Sequence, residues 1–94
     1  MEFEWDPSKA AENLRKHGVP FSEAATVFGD LLGITVIDPD HSVDENRYIT
    51  VGHSNQGRLL LVAHADRGDR IRIISARILT RRERIAYEET RKQT

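Results

Sequence analysis

The 94-residue chain contains no cysteine, and this absence excludes disulfide bonds and thiolate chemistry. No apolar run approaches the roughly 20 residues that a membrane-spanning helix needs. Residues 1–18 lack a basic segment followed by an apolar stretch, so we expect no secretory signal. Together these absences favour a cytoplasmic protein without a membrane partner.

Familiar catalytic and metal-binding signatures are also missing. The chain has no phosphate-binding P-loop, no dinucleotide-binding fingerprint, no zinc-protease motif and no serine-nucleophile elbow. Its four histidines lack close metal-ligand spacing, so we expect neither a metal site nor another cofactor. A content of 38% hydrophobic and 31% charged residues is typical of one small globular domain, which we expect to span residues 1–94.

A net charge of −1 conceals a strong asymmetry between the two halves of the chain. Residues 1–46 hold three Lys or Arg against ten Asp or Glu, whereas residues 47–94 hold eleven against five. Ten of those eleven are arginine, whose planar guanidinium binds phosphate through paired hydrogen bonds. Either the second half presents a basic surface to nucleic acid, or the two halves neutralise each other within the fold.

A short strand is predicted at residues 2–5, followed by two helices. Asp6 is expected to cap the first helix, which runs to about His17 and ends before Gly18. Ser22 is expected to cap the second helix, which is short. The inward side of the first helix is expected to carry Ala10, Ala11 and Leu14.

From residue 31 the apolar pattern changes to a period of two, which is typical of β-strands. Four strand-like runs follow, and the segments "SNQG" and "RGD" suit hairpins between the last three of them. "TRRE" at residues 80–83 matches a capping box and is expected to start a last helix, which ends near residue 91. The order β-α-α-β-β-β-β-α predicts an α+β domain, in which an antiparallel sheet carries two N-terminal helices and one C-terminal helix.

The strand register decides which polar side chains meet. If the first hairpin pairs His53 with Arg58, and the second pairs Asp66 with Asp69, then Arg58 lies opposite Arg77. One sheet face then carries Arg47, Ile49, Val51, His53, Arg58, Leu60, Val62, His64, Ile71, Ile73, Ser75 and Arg77. The opposite face then carries small residues that let a helix approach: Gly52, Ala63, Ala65 and Ala76. His53, Arg58 and Arg77 then form a cluster at one end of the first face. This cluster depends on the register, because a slip by one residue moves side chains to the other face.

Arginines that converge beside a histidine suit cleavage of an RNA phosphodiester without a metal ion. Arginine stabilises the charge that develops on the phosphate, while histidine or another base takes the 2′-OH proton. Arg77 is the strongest candidate, because its apolar neighbours leave it least explained by solvation. In the alternative, the strand-end arginines pair with acids of the first half, such as Asp38, Asp40, Asp44 or Glu45.

Other polar residues have a structural interpretation beside the functional one. Glu83 is expected to be a helix cap rather than a catalytic acid. Lys16 and His17 fall in the last helical turn, where cations favour the helix dipole, and a catalytic role remains open. His41 and Ser42 lie in a polar loop that could form either a turn or a site.

Three stretches of the chain closely resemble the BrnT family of bacterial type II toxins: "FEWDPSKAAENLRKHGVPFSEAATVF", "DHSVDENRYITVGHSNQGRLLLVAH" and "RIRIISARILTRRERIAYE". The resemblance covers residues 3–88 in the family's order and spacing. Its most specific parts are the opening W-D-x-x-K-x-x-x-N-x-x-K-H-G-V and the closing I-S-A-R-x-x-T-x-x-E-R.

The resemblance implies a RelE-like fold and a toxin that cuts RNA, inhibits translation and arrests growth. It also implies neutralisation by a ribbon-helix-helix antitoxin, BrnA, which carries the complex to DNA, with a toxin homodimer inside a heterotetramer. Recurring family motifs include Lys16, His17, Arg58, Arg77, Glu83 and Arg84. We expect the catalytic residues among Arg77, Arg58, His53, Lys16 and His17. We expect RNA contacts from Arg47, Arg67, Arg72 and Arg84.

A second hypothesis remains open, because the sequence shows no complete acid–base constellation. In it, the chain is a catalytically inactive partner that binds the antitoxin and acts only in promoter co-repression. Growth arrest and RNA cleavage by the free chain would distinguish the two hypotheses.

Overall fold

The structure, a computed structural model, describes residues 1–40 and 46–92 of the chain. Its elements are β1 (Glu2–Glu4), α1 (Pro7–His17), α2 (Phe21–Thr26), a 3₁₀ turn (Val27–Gly29), β2 (Ile34–Ile37), β3 (Arg47–His53), β4 (Leu59–Arg67), β5 (Arg70–Ile78) and α3 (Arg81–Lys92). The predicted element order and α+β class are confirmed. Four loop residues with predicted roles lie outside the described residues: His41, Ser42, Asp44 and Glu45. Within the described ranges, no helix has the length and apolar character needed to cross a membrane.

The five strands form one sheet in the order β1-β5-β4-β3-β2. Neighbouring strands are antiparallel except for β1, which runs parallel to β5. The prediction of a wholly antiparallel sheet is therefore wrong at this edge. Parallel pairing is possible here because most of the chain, rather than a tight hairpin, connects β1 to β5.

The helix ends follow the sequence signals with one exception. Asp6 caps α1 by accepting a 2.7 Å hydrogen bond from a first-turn amide, and Gly18 ends the helix at a φ of 69°. Thr80 and Glu83 accept hydrogen bonds from each other's backbone amides, which is the capping box predicted for α3. The prediction of Ser22 as the cap of α2 is wrong, because α2 begins one residue earlier and has no side-chain cap.

The main core lies between the sheet and the helices α1 and α2, on what we call the helix face. Its fully buried members are Val19, Phe21, Ala24, Val27, Leu60, Val62, Ile73 and Ala76. On the other face α3 covers one end, where Leu79 and Tyr87 pack against Leu59. We call this second face the open face, because α3 is the one described helix that packs on it.

The inward side of α1 is polar at its centre. Asn13 is only 6% exposed, and its side-chain amide pairs with the backbone of Ala76 at 2.8 and 3.0 Å. The same amide donates to the Val19 carbonyl at 3.0 Å. Since β1 pairs only with the first part of β5, Asn13 takes the place of a neighbouring strand further along that edge. Ala11 and Leu14 are exposed, so the prediction that they face inward is wrong.

Candidate functional site

The β3–β4 hairpin has a different register from the one predicted. His53 pairs with Leu59 and not with Arg58. Arg58 belongs to the turn, where its carbonyl accepts a 2.8 Å hydrogen bond from the Ser54 amide. The β4 side chains consequently lie on the faces opposite to those predicted: Leu60, Val62 and His64 on the helix face, and Ala63 and Ala65 on the open face.

The β4–β5 hairpin also departs from the prediction. Arg67 pairs with Arg70, whereas the sequence suggested a pairing of Asp66 with Asp69. Gly68 then takes the first central position of a two-residue turn, with a φ of 73°. This position of a hairpin turn favours glycine, because a side chain is strained at positive φ. In this register Arg77 pairs with Leu61, so the predicted cross-strand pairing of Arg58 with Arg77 does not form.

A β-bulge in β5 sets which of its side chains share a face. The register with β4 shifts after Ile73, which leaves Ile74 without a partner residue in β4. Because the alternation is offset there, Arg72 and Ser75 share the open face despite their spacing of three. Arg77 follows Ser75 on the same face.

The strands consequently carry five arginines on the open face: Arg47, Arg67, Arg70, Arg72 and Arg77. Arg47 and Arg72 flank the same residue of β4, Ala65. Glu4 lies 3.6 Å from Arg70 and 3.4 Å from Arg72, measured between carboxylate oxygen and guanidinium nitrogen. An acid of the first half therefore compensates part of this charge, as the alternative interpretation predicted for the arginines.

Arg77 is held by a carboxylate of the last helix. Its Nη1 and Nη2 donate to Oε1 and Oε2 of Glu83 at 2.7 and 2.8 Å. This guanidinium, together with the Thr80 amide, lowers the pKa of Glu83 from 4.5 to about 2. Glu83 in turn raises the pKa of Arg77. The two side chains are about one-third exposed, so Arg77 keeps N–H groups that a phosphate can reach.

Arg58 forms a similar pair on the helix face. Its Nε and Nη2 donate to the Glu23 carboxylate at 2.9 and 2.6 Å, and Nη2 also donates to the Gly18 carbonyl at 3.2 Å. The Ser54 hydroxyl donates to the same carboxylate at 2.7 Å. These hydrogen bonds, above all that of Arg58, lower the pKa of Glu23. Arg58 thus fastens the β3–β4 turn to α2 and to the end of α1.

A groove of about 320 Å³ separates α1 from the edge of β5. Lys16 and His17 line its helical wall, and Ile74 and Ser75 line its strand wall. The groove therefore brings the two predicted residues of α1 to the strand that carries Arg77. Lys16 also lies 3.5 Å from Glu12, which is one turn earlier on α1 and lines the same groove.

His53 lies on the open face at the end of β3 and is separated from Arg77 by β4. Its Nδ1 is 3.7 Å from an Asp30 oxygen, and its backbone amide donates to the same oxygen at 2.8 Å. That backbone hydrogen bond is the main reason for the lowered pKa of Asp30. The His53 ring also meets the Tyr87 ring edge-on at 6.4 Å. The structure therefore does not bring His53 together with Lys16, His17 and Arg77.

The remaining predicted residue, Arg84, is exposed on the first turns of α3. It does not lie on the sheet, unlike the other arginines that were expected to contact RNA. Within residues 1–40 and 46–92, no three histidine or acidic side chains are grouped so that they could hold a metal ion.

Comparison with known proteins defines the family of this chain. A family model described as "Ribonuclease toxin, BrnT, of type II toxin-antitoxin system" matches residues 5–83. The chain belongs to the BrnT family. The match includes α1, the whole sheet except β1, and the capping box of α3.

A solved BrnT structure has a similar fold. The crystal structure of the Brucella abortus ribonuclease toxin BrnT superposes with a TM-score of 0.65 and 21% sequence identity. The alignment covers 86% of this chain and 99% of that chain. No curated protein matches the sequence.

Sequence reasoning missed three polar residues that shape this region of the BrnT fold: Asn13, Glu23 and Glu4. Asn13 follows the apolar Ala10 at a spacing of three, so its inward position was readable from helical periodicity. Glu23 lies between Phe21 and Ala24 on the apolar side of α2, and an acid in such a place indicates a buried cationic partner. Nothing in the sequence indicated that this partner is Arg58.

Proposed function

We propose that this chain is an endoribonuclease toxin that cleaves RNA without a metal ion, inhibits translation and acts in the cytoplasm. The observation that carries the proposal is the groove of Lys16, His17 and Ser75, which opens on the strand of Arg77 at the edge of an arginine-rich sheet face. Lys16 and His17 on the helical wall, with Arg77 further along the strand that forms the other wall, suit a phosphodiester bound at this edge of the sheet.

The proposed reaction is an internal transfer within RNA. The 2′-oxygen attacks the adjacent phosphorus while its proton passes to a base, and the 5′-oxygen leaves with a proton from an acid. The products are a 2′,3′-cyclic phosphate and a 5′-hydroxyl end, so atoms and charge balance without a further reactant. His17 is the proposed proton-transfer residue, because imidazole is the side chain most often used for this purpose.

Arg77 and Lys16 are the proposed phosphate ligands. Charge develops on the non-bridging oxygens during the attack, and fixed cations near those oxygens lower the barrier. Arg58 is proposed as a positioning residue, because its hydrogen bond to Gly18 holds the residue that follows His17. His53 remains a catalytic candidate on the other side of β4.

The rest of the open face is proposed to bind RNA on either side of the cleaved bond. Arg47, Arg67 and Arg72 are spread along it, and Arg84 lies on α3 beside the face. Contacts of this kind go to phosphates and confer affinity without sequence preference. RNA affinity should therefore fall steeply as salt is raised.

Membership of a type II toxin–antitoxin family implies an antitoxin partner. We propose that this partner is a ribbon-helix-helix protein like BrnA, that a toxin homodimer forms within a heterotetramer with it, and that DNA is bound through the antitoxin. Co-expression with a neighbouring ribbon-helix-helix reading frame, followed by light scattering of the purified complex, tests this composition.

The enzymatic proposal is tested with the free chain. Induced expression should arrest growth, and the purified protein should fragment RNA equally in EDTA and in magnesium, leaving cyclic phosphate ends. Arg77→Ala should abolish growth arrest and slow cleavage about 100-fold while the protein remains folded. Arg82→Ala, which removes an exposed arginine from α3, is the matched control and should behave as wild type. A fully toxic Arg77→Ala variant would show that Arg77 is structural.

One observation favours the second candidate function, that of an inactive partner for antitoxin binding and co-repression. Arg58 and Arg77 each form two hydrogen bonds with a carboxylate, which is also the geometry of purely structural ion pairs. A wild-type chain that binds the antitoxin tightly, permits growth and leaves RNA intact would establish this function instead.

A further inference from the structure

A second cavity lies on the helix face, near the β4–β5 turn. Its volume is about 640 Å³, within the usual range for small-molecule sites. Its wall is mainly apolar, and it includes three rings and several polar side chains: Phe28, Thr35, Tyr48, His64, Asp66 and Asp69. It shares no lining residue with the groove of Lys16 and His17. The proposed cleavage chemistry therefore leaves this cavity unexplained.

Three rings are arranged side by side along the cavity. The His64 ring lies edge-on to Phe28 at 4.7 Å and nearly parallel to Tyr48 at 5.9 Å. A chain of hydrogen bonds fixes His64, since its Nε2 is 2.7 Å from the Thr50 hydroxyl, which is 2.7 Å from the Thr35 hydroxyl. The His64 ring is therefore held in place before any ligand binds, which lowers the entropic cost of binding.

His64 has one polar atom without a partner. The residue is 5% exposed, and among the described residues its Nδ1 is the one buried side-chain nitrogen or oxygen that lacks a hydrogen bond. An unsatisfied buried polar atom destabilises a fold, so this one indicates that the residues around His64 are not arranged for stability alone.

The cavity is joined to the open face through Arg70. This residue lines the cavity, and its guanidinium also approaches Glu4 at 3.6 Å beside the arginines of the open face. Arg70 thus stands where the open face meets the cavity, at the β4–β5 turn. A phosphate on Arg70 would place the attached nucleoside beside the three rings.

We propose that this cavity binds a guanine base of the RNA substrate, so that the toxin selects its cleavage sites by the base it holds. The inference rests on the proposed function. Stacking on Phe28 and Tyr48 suits any base, because every base has an aromatic face. The carboxylates of Asp66 and Asp69 accept hydrogen bonds, and guanine presents two adjacent donors, N1–H and N2–H, to a single carboxylate. Adenine, cytosine and uracil present fewer donors along one edge.

The probes for this test are the four nucleoside 5′-monophosphates and ribose 5-phosphate, titrated into isotope-labelled protein. GMP should bind most tightly and shift the resonances of Tyr48 and His64, whereas ribose 5-phosphate should not shift them. Asp66→Asn should weaken GMP binding about tenfold, because the carboxylate acceptor is replaced by an amide. Glu88→Gln, which neutralises an exposed acid on α3, is the matched control and should leave GMP binding unchanged.

A second arm separates the substrate base from a free nucleotide. Short RNAs with one guanosine at successive positions should be cut at a fixed distance from it, and Asp66→Asn should lose that preference while it still cuts. Equal binding of all probes, shifts confined to the arginines, or an unchanged cleavage pattern in Asp66→Asn would overturn the inference. If RNA is cut without base preference, only this inference fails, whereas GMP binding without RNA cleavage contradicts the proposed function.

Discussion

Arg77 and Glu83 form two nearly equal hydrogen bonds, at 2.7 and 2.8 Å, between the last strand and the first turn of the last helix. Oε1 of Glu83 also accepts a 2.9 Å hydrogen bond from the Thr80 amide. One carboxylate therefore caps α3 and holds Arg77, the proposed phosphate ligand. The sequence pattern predicted the cap and the phosphate ligand as separate features, whereas one ion pair joins them in the structure. Any phosphate that binds Arg77 competes with Glu83 or binds beside it.

Glu83→Gln should therefore strengthen RNA binding and weaken the fold. Glutamine can still cap α3, but it removes the negative charge that competes with phosphate for Arg77. We expect severalfold tighter binding of an RNA that carries a 2′-deoxy group at the cleaved position, measured by fluorescence anisotropy. Glu89→Gln, on the exposed side of α3, should leave affinity unchanged. Unchanged affinity in Glu83→Gln would argue against phosphate binding at Arg77.

The same variant should change the response to acid. The folded-state pKa of Glu83, about 2, lies below its ordinary value of 4.5, so the charged form stabilises the fold above pH 4.5 and loses this effect as pH falls towards 2. Because both partners are about one-third exposed, we expect a contribution of about 1 kcal/mol after screening. Urea unfolding at pH 7 and pH 3 should show a smaller acid loss in Glu83→Gln than in wild type. Equal losses would contradict the pairing.

The pair of Arg58 and Glu23 should stabilise the fold. Arg58→Ala leaves a carboxylate that is only 8% exposed without its guanidinium, so the urea midpoint should fall clearly. The double variant Arg58→Met with Glu23→Leu should recover most of that loss, because no buried charge remains. A folded double variant that still arrests growth would show that Arg58 serves stability alone and would contradict its proposed positioning role. A folded but harmless one would support that role, because the hydrogen bond to Gly18 is lost.

Asn13→Ala should destabilise the protein by about 2 kcal/mol, because the Ala76 N–H and C=O and the Val19 carbonyl lose their partner. Asn13→Asp should be worse, since a carboxylate cannot donate to the two carbonyls and would be buried. Gln56→Ala in the exposed β3–β4 turn is the control for loss of an amide and should change the melting temperature little. Equal melting temperatures for Asn13→Ala and wild type would refute the edge role of Asn13.

His64 should make the stability of the fold depend on pH between 6.5 and about 4. Burial lowers its pKa from 6.5 to about 4, although the charge of Asp66 acts in the opposite direction. Between pH 6.5 and 4 the unfolded chain therefore binds a proton that the folded chain does not, and stability should fall by up to about 3 kcal/mol. His64→Gln should flatten this part of the profile, whereas His17→Gln, at an exposed position, should retain it. A wild-type profile without this loss would contradict the burial of a neutral His64.

Local signals predicted the elements well, because each depends on a few neighbouring residues. Asp6, Gly18 and the Thr80–Glu83 box mark helix ends by hydrogen bonds and backbone geometry within one turn. Ser22 does not cap α2, because Pro20, two residues earlier, already has the extended geometry from which the helix starts. The strands were readable from their alternation, but their pairing was not.

The predicted cluster of His53, Arg58 and Arg77 does not form, because register is a property of two strands and a turn. Moving the β3–β4 pairing by one residue transferred Arg58 to the helix face, and the bulge after Ile73 brought Arg72 and Ser75 to one face. The groove that joins Lys16 and His17 to β5 also required the docking of α1, which depends on Asn13.

The sequence by itself determined the α+β element order, the helix ends, the excess of arginine in the second half and the family. These follow from local periodicity, capping chemistry, composition and motif spacing. Only the tertiary structure decided that Arg58 meets Glu23, that Arg77 meets Glu83, and that a buried His64 borders a cavity. Those contacts join residues that are distant in the chain or that lie on either side of a turn, and they depend on register and close packing, which no single segment specifies.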